Sequence, residues 1–150
     1  MSRDKNGFEI ELSMKHQLDI SGQLKEFGVT PTSIRILVYR CLDDSETPLS
    51  LMEIESRLDS VDKSTVSRTL STFKKHHMVH SLYDGSGSVK YELCRTPHDE
   101  CDDRHVHFHC DKCGKTICLT GVAIPSVKLP DGYQPFASNY VISGFCPSCS

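Results

Sequence analysis

The sequence predicts an α+β fold built from two small domains, residues 1–93 and 94–150. Three observations predict it: helical hydrophobic spacing fills the first part, two strand-like runs close it, and seven of the eight cysteines lie after residue 93. A chain of 150 residues has room for one ordinary domain or two small ones. The change in composition near residue 93 favours two.

The composition excludes several classes of protein. Hydrophobic residues make up 37% and charged residues 25%, which is typical of a folded chain. The net charge of −3 excludes a uniformly basic nucleic-acid-binding surface but allows a local basic patch. The sequence has no apolar run long enough for a membrane helix and begins without a secretory signal. In the cytoplasmic protein that these features predict, eight Cys and eight His indicate metal or redox chemistry rather than disulfides.

Four short helices are predicted in the first domain. The first is expected to end at Gly28, since glycine favours the position just after a helix. Thr32, Ser50 and Asp62 are the predicted N-caps of the next three. The fourth helix has an apolar stripe with helical spacing at Val66, Leu70 and Phe73. The third and fourth helices, joined by a short turn, form a helix-turn-helix pattern.

The polar side of the fourth helix is basic and rich in hydroxyl groups. No acidic residue occurs from Lys63 to Tyr83, and the basic residues there include Arg68, Lys74 and Lys75. Basic and short hydroxyl side chains suit the phosphates and the major groove of DNA. A solvated face that simply lacks acidic residues is the alternative interpretation.

A predicted hairpin follows this helix. The runs Met78–Tyr83 and Ser88–Leu93 have strand composition, and the turn between them, residues 84–87, contains two glycines. Helices followed by such a hairpin form a winged helix-turn-helix. The combination favours a DNA-binding domain over a purely structural helical domain.

Two Cys-x-x-Cys pairs in the second domain predict a structural zinc site. The pairs are Cys110 with Cys113 and Cys146 with Cys149, and they are separated by 32 residues. Two-residue spacing lets both sulfurs of a pair reach one ion, and four thiolates around zinc make a closed site that stabilises the fold. A thiol redox centre or disulfides are the alternatives. A redox motif needs only one pair, and no βαβ pattern surrounds either pair here.

A second group of possible metal ligands lies between the predicted wing and the first cysteine pair: Cys94, His98, Cys101, His105, His107 and His109. Strand alternation places the last three histidines on one face. A solvated row of histidines is the alternative to a second metal site, but the nearby thiols favour metal. Because the sequence shows no Ser-His-Asp set, no paired carboxylates and no HExxH glutamate, we predict no catalytic residue and no enzyme activity.

These motifs together resemble the ferric uptake regulator family of bacterial metal-sensing repressors. The resemblance extends from about Leu24 to Cys149 and is carried by LKEFGVTPTSIR, KSTVSRTLSTFKKHHMV, VKYEL, HVHFHCDKCGK and LPDGYQPFASNYVISGFCPSC. It implies an N-terminal DNA-binding domain and a C-terminal α/β dimerisation domain with a four-cysteine structural zinc. It also implies a homodimer that binds a palindromic double-stranded DNA operator near metal-uptake genes, with metal ions as its only small ligands.

The resemblance assigns DNA-contacting residues. Thr32 and Arg35 match the family's T-x-x-R element, and Arg68 matches the basic residue of its T-V-Y-R element. Ser67 stands where that element has Tyr, so one contact usual in the family is changed. The full set of predicted DNA-binding residues is Thr32, Arg35, Lys63, Ser64, Thr65, Ser67, Arg68, Lys74 and Lys75.

For the regulatory metal, the sequence is more similar to the zinc uptake regulator branch than to the iron branch. The positions where the iron branch usually has its ligands hold Pro48, Arg104, Val106 and Ser138. The zinc-branch ligands match His80, Cys94, His105 and His107. The alternates are Glu92, Cys118, Cys101 and His109. Thiolate together with imidazole suits tetrahedral zinc, and iron is the second candidate metal.

Three alternatives to a zinc sensor stay open. An iron or peroxide sensor of the same family would use Glu92 in place of Cys94, because iron chemistry prefers histidine and carboxylate ligands. A thiol redox protein would use the cysteine pairs. A repressor that holds only the structural zinc would respond to some other signal.

Overall fold

The computed structural model describes residues 19–94, 106–119, 121–135 and 138–150. The helices are α1 (19–26), α2 (Ser33–Asp43), α3 (Leu51–Arg57) and α4 (Lys63–Lys75). The strands are β1 (Leu49–Ser50), β2 (Val79–Tyr83), β3 (Val89–Leu93), β4 (Val106–Cys110), β5 (Thr116–Leu119) and β6 (Tyr140–Gly144). They form two three-stranded sheets, named here sheet A (β1-β3-β2) and sheet B (β5-β4-β6). The α+β fold class is confirmed.

The helix ends follow the predicted capping residues. The side chains of Thr32, Ser50 and Asp62 each accept a hydrogen bond from the backbone N–H three residues further on, at 3.3, 3.2 and 2.8 Å. At Ser50 the capping box is complete, because the Glu53 carboxylate accepts from the Ser50 backbone N–H at 2.7 Å. Gly28 follows α1 with a φ of +75°, a left-handed conformation that glycine adopts without strain.

The core of the N-terminal part lies between the four helices and sheet A. The α4 residues predicted to point inward, Val66, Leu70 and Phe73, are at most 2% exposed. They belong to one buried cluster with Ile20, Leu24, Val38, Cys41, Leu42, Leu49, Ile54, Met78 and Val79. Each large apolar side chain buried in this way contributes about 1.5–3 kcal/mol. The core therefore fixes which side of α4 faces solvent.

Sheet A contains the predicted hairpin. Strands β2 and β3 pair antiparallel, with His80 opposite Glu92, and the hairpin Val79–Leu93 is called the wing below. In its turn, Gly85 and Gly87 have φ values of +85° and +88°, which side chains with a Cβ rarely adopt. Strand β1 adds a third strand by pairing with β3. It was not predicted, because two residues are too few to show strand alternation.

Sheet B carries the histidine-rich segment at its centre. Strand β4 pairs antiparallel with β5 and parallel with β6, and this register places His107 opposite Cys118. The described residues after 105 contain strands and turns, and the helix expected of an α/β second domain is not among them. The boundary predicted after residue 93 falls just beyond β3 and stays a prediction. Among the described helices, none is long and apolar enough to cross a membrane.

The capping box of α3 can be tested by substitution. We expect Ser50→Ala to lower the free energy of unfolding by about 1 kcal/mol, because the α3 N-terminus loses its side-chain acceptor. The matched control is Ser56→Ala, whose exposed hydroxyl donates only to the Glu53 carbonyl, and we expect a change within about 0.5 kcal/mol. Denaturant unfolding measures both. Equal stabilities of the two variants would contradict the role given to the cap.

Candidate metal centres and nucleic-acid interface

The four paired cysteines converge on one point. Their sulfur atoms all lie within 4.8 Å of one another, and Cys113 Sγ is 3.9 Å from Cys146 Sγ. Two sulfurs bound tetrahedrally to zinc at about 2.3 Å lie roughly 3.8 Å apart, so the spacing fits that ion. In the first pair, Gly114 donates its backbone N–H to the Cys110 carbonyl at 2.8 Å and has a φ of +71°. The predicted four-cysteine cluster is confirmed.

The electrostatics of this cluster also suit a cation. Backbone N–H groups of Cys113 and Cys146 hold the pKa of the Cys110 thiol down, to about 6. The pKa of Cys149 is raised to about 12, by its hydrogen bond to Cys146 first and then by burial and the other sulfurs. Four neighbouring sulfurs cannot all ionise against one another's charge. A divalent ion removes that repulsion, and thiolates are the ligands that zinc prefers.

A second cluster joins sheet A to sheet B. One ligand atom from each of Glu92, His107 and Cys118 lies within 4.8 Å of the others. Glu92 belongs to the wing, and its Oε1 lies within hydrogen-bonding distance of His107 Nε2, at 2.7 Å. Burial, reinforced by the Glu92 charge, raises the pKa of the Cys118 thiol to about 11. The carboxylate oxygen, imidazole nitrogen and sulfur form a donor set that fits a divalent transition metal.

The four regulatory metal ligands preferred from the sequence do not coincide with this second cluster. His107 lies in this second cluster, whereas His80 and Cys94 are not among its three described members. His80 is buried and lines, with His107, a cavity of about 220 Å³ between the wing and sheet B. His105 lies outside the described residues. The preferred regulatory set therefore stays a prediction.

The alternate regulatory ligands also fall into two groups, those that join the second cluster and those that do not. Glu92 and Cys118 join His107, while Cys101 lies outside the described residues. His109 Nδ1 lies 3.0 Å from the Thr116 hydroxyl oxygen on the neighbouring strand. The cross-strand registers of sheets A and B place Glu92 beside His80 and Cys118 beside His107. Those registers were the missing signal, since sequence spacing alone does not show which strands pair.

The candidate nucleic-acid interface is the polar side of α4. Most of the residues predicted to contact DNA are exposed there: Lys63, Ser64, Ser67, Arg68, Lys74 and Lys75, with Thr65 partly buried. Lys74 donates from Nζ to the Ser81 hydroxyl at 2.8 Å and lines the cavity beside His80.

The T-x-x-R element lies at the start of α2. The Thr32 hydroxyl caps the helix by accepting from the Arg35 backbone N–H. The Arg35 guanidinium donates to the Thr30 carbonyl at 2.7 Å. Both residues therefore have structural contacts in addition to the DNA contacts predicted for them.

Three polar contacts, together named the wing junction, connect the wing to sheet B. The Asn139 side chain donates to the Tyr83 carbonyl at 2.7 Å, and the Thr116 hydroxyl donates to Asp84 at 2.6 Å. The third contact is the Glu92–His107 pair described above. The contacts from sheet B come from β4, from β5 and from the residue that precedes β6.

Comparison with known proteins identifies the family. The model of the ferric uptake regulator family matches residues 26–128. The ferric uptake regulation protein of Campylobacter jejuni subsp. jejuni is 37% identical over 100 residues, which are 63% of this chain and 60% of that protein. The chain thus matches about three fifths of the length of this relative.

Solved structures share the fold at low sequence identity. The Helicobacter pylori ferric uptake regulator is 20% identical with a TM-score of 0.56, covering 91% of this chain and 92% of its own. The Vibrio cholerae ferric uptake regulator is 21% identical with a TM-score of 0.58, covering 84% and 98%. Holo XcZur is 20% identical with a TM-score of 0.60, covering 88% and 96%.

Family membership accounts for the main features described above. Proteins of this family are transcription regulators and not enzymes. The family model spans more than half of the chain, and the solved structures share its fold. The chain therefore belongs to the ferric uptake regulator family.

Proposed function

We propose that this chain is a zinc-responsive repressor of metal-uptake genes, which binds a palindromic DNA operator as a homodimer in the cytoplasm. Family membership supports a metal-responsive DNA-binding regulator. Among relatives of the same fold, the H. pylori regulator is described as having three functional metal binding sites. The observation that carries the zinc response is the Glu92–His107–Cys118 cluster, which spans the wing and sheet B.

The DNA-binding part of the proposal rests on α4. Its 13 residues extend about 20 Å, which suits a helix lying in the major groove. The core covers its apolar side, so basic and hydroxyl side chains are left on the outer side. A chain with a net charge of −3 can bind DNA through this face because the face itself contains no carboxylate.

The choice of zinc rests on the donor atoms. Cys118 supplies sulfur where an iron site would be expected to hold nitrogen and oxygen only. Glu92 is the ligand expected of an iron or peroxide sensor, and its presence in the cluster keeps iron as the second candidate. Sulfur, nitrogen and oxygen together are common around tetrahedral zinc. The four-cysteine cluster is the proposed structural zinc site.

The position of the second cluster suggests how metal would control DNA binding. Glu92 lies in the wing, whereas His107 and Cys118 lie in sheet B. Glu92, His107 and Cys118 would hold a divalent ion, whose positive charge would offset the charges of the carboxylate and the thiolate. In a homodimer, the angle between wing and sheet B sets the separation of the two α4 helices, which must match groove faces about 34 Å apart. Metal then favours dimers of DNA-binding shape from an existing population.

The DNA-contacting face of α4 can be tested by the salt dependence of binding. We expect Arg68→Ala to weaken binding to a duplex that the wild-type protein selects from a random pool, and to reduce the slope of log K against log salt by about one. Lys128→Ala removes an exposed positive charge far along the chain from α4 and serves as the control. Fluorescence anisotropy measures both. Equal slopes for the two variants would rule out α4 as the interface.

The regulatory ligands can be separated by two cysteine variants. We expect Cys118→Ser to raise the zinc concentration at half-maximal DNA binding by about tenfold or more, because the site loses its thiolate. Cys94→Ser, at a residue outside the described cluster, is the comparison. Buffered zinc titrations of DNA binding measure the midpoints. A shift in Cys94→Ser alone would instead support the ligand set preferred from the sequence.

The two proposed zinc sites can be distinguished by metal content. We expect Cys113→Ser to lose the metal of the four-cysteine cluster and to lower the melting temperature, because that metal contributes folding free energy. Cys118→Ser should keep that metal and melt close to the wild type, since its thiol lies in the other cluster. Elemental analysis gives the metal content, and thermal unfolding gives the melting temperature. Identical losses of metal and stability would show that the clusters are not separate sites.

A further inference from the structure

A buried carboxylate lies at the end of the wing, away from the second metal cluster. Asp84 follows β2, and its side chain is 0% exposed. Its Oδ2 accepts from the Thr116 hydroxyl at 2.6 Å and lies 3.5 Å from Lys90 Nζ. Its Oδ1 accepts from the Ser86 backbone N–H at 2.9 Å, and His109 Nδ1 lies 3.7 Å from Oδ2. The carboxylate therefore contacts both its own hairpin and sheet B.

This carboxylate is held in its charged form. Burial alone would raise the pKa of Asp84, but the hydrogen bonds from Ser86 and Thr116 and the charge of Lys90 outweigh it, and the pKa lies far below its usual range. A buried charge that keeps all its partners is stable, whereas removal of one partner is costly. Loss of one partner would therefore leave a buried charge incompletely paired and destabilise this arrangement.

The sheet B partners of Asp84 lie next to the four-cysteine cluster. His109 immediately precedes Cys110, and Thr116 begins β5 directly after the loop that carries Cys113. The backbone N–H of Cys110 donates to the Lys115 carbonyl at 2.9 Å, which closes that loop. Thr116 is 1% exposed. Asp84 thus contacts a part of sheet B that the cysteine cluster holds in place.

We propose that Asp84 is a positioning residue, which orients the DNA-binding part of the chain on sheet B through its hydrogen bond to Thr116. The proposal rests on the proposed function, since it concerns how the regulator reaches its DNA-binding shape. Of the three wing-junction contacts, the Glu92–His107 pair would be rearranged when metal binds, and the Asn139–Tyr83 contact is exposed. The Asp84–Thr116 contact is buried and includes none of the proposed metal ligands.

Substitution at Thr116 tests the positioning role of Asp84. Asp84 itself is left unchanged because it also accepts from the Ser86 backbone N–H within the wing turn. Thr116→Val keeps the side-chain shape but removes the hydroxyl donor, and Thr116→Ser keeps the donor. At saturating zinc, we expect Thr116→Val to bind the selected duplex at least about tenfold more weakly, with a shallower salt slope because fewer phosphates are contacted. Thr116→Ser should restore both values. Zinc content should equal that of the wild type in both variants.

The response of DNA affinity to added zinc distinguishes Thr116→Val from a metal-ligand variant. Excess zinc should restore DNA affinity in Cys118→Ser, whereas Thr116→Val should stay weak at any zinc concentration. Wild-type affinity and salt slope in Thr116→Val would overturn the proposal, as would equal weakening in Thr116→Ser. Loss of zinc from Thr116→Val would also overturn it, because the effect would then act through the cysteine cluster.

A second readout keeps this test independent of the proposed function. If the wild-type protein shows no zinc-dependent DNA binding, the proposed function fails, and hydrogen exchange of the wing amides still tests the contact. We expect exchange over residues 79–93 to be several-fold faster in Thr116→Val than in the wild type and in Thr116→Ser. Equal exchange in all three proteins would show that Thr116 does not fix the wing.

Discussion

The wing junction is the constraint on which the rest of this structure depends. At this junction the polar groups of the wing and sheet B are matched: a carbonyl accepts from an amide, and two carboxylates lie against a hydroxyl and an imidazole. Both metal clusters include residues of sheet B. Under the proposed function, a change at either cluster would reach the DNA-binding part of the chain through these contacts.

The hydrophobic core gives this junction its effect on α4. Phe73 and Leu70 attach the helix to the other helices, and Met78 and Val79 attach the first wing strand to the same core. Because the wing and α4 share one core, they move together. In the proposed homodimer, a small rotation at the junction would be carried to the basic face of α4 and would change the separation of the two DNA contacts.

Local features of the fold were predictable from the sequence, and contacts between distant strands were not. The caps at Ser50 and Asp62, the glycine hairpin and the cysteine pairs each depend on residues within a few positions of one another. The grouping of Glu92 with Cys118 depends instead on the registers of two sheets and on how those sheets meet. The Asp84–Thr116 contact joins residues 32 positions apart and has no local signal. The family resemblance indicated a second metal site. It ranked Cys94 above Cys118, the residue that lies beside His107.

In the proposed mechanism, a metal at the wing junction, distinct from the one proposed for the four-cysteine cluster, controls DNA binding. Its most direct test is one titration of metal-free protein with zinc, in which bound zinc per chain and DNA binding are measured together. We expect DNA binding to stay low while the first zinc per chain binds and to rise with the second. Full DNA binding after the first zinc, with no further change, would contradict it.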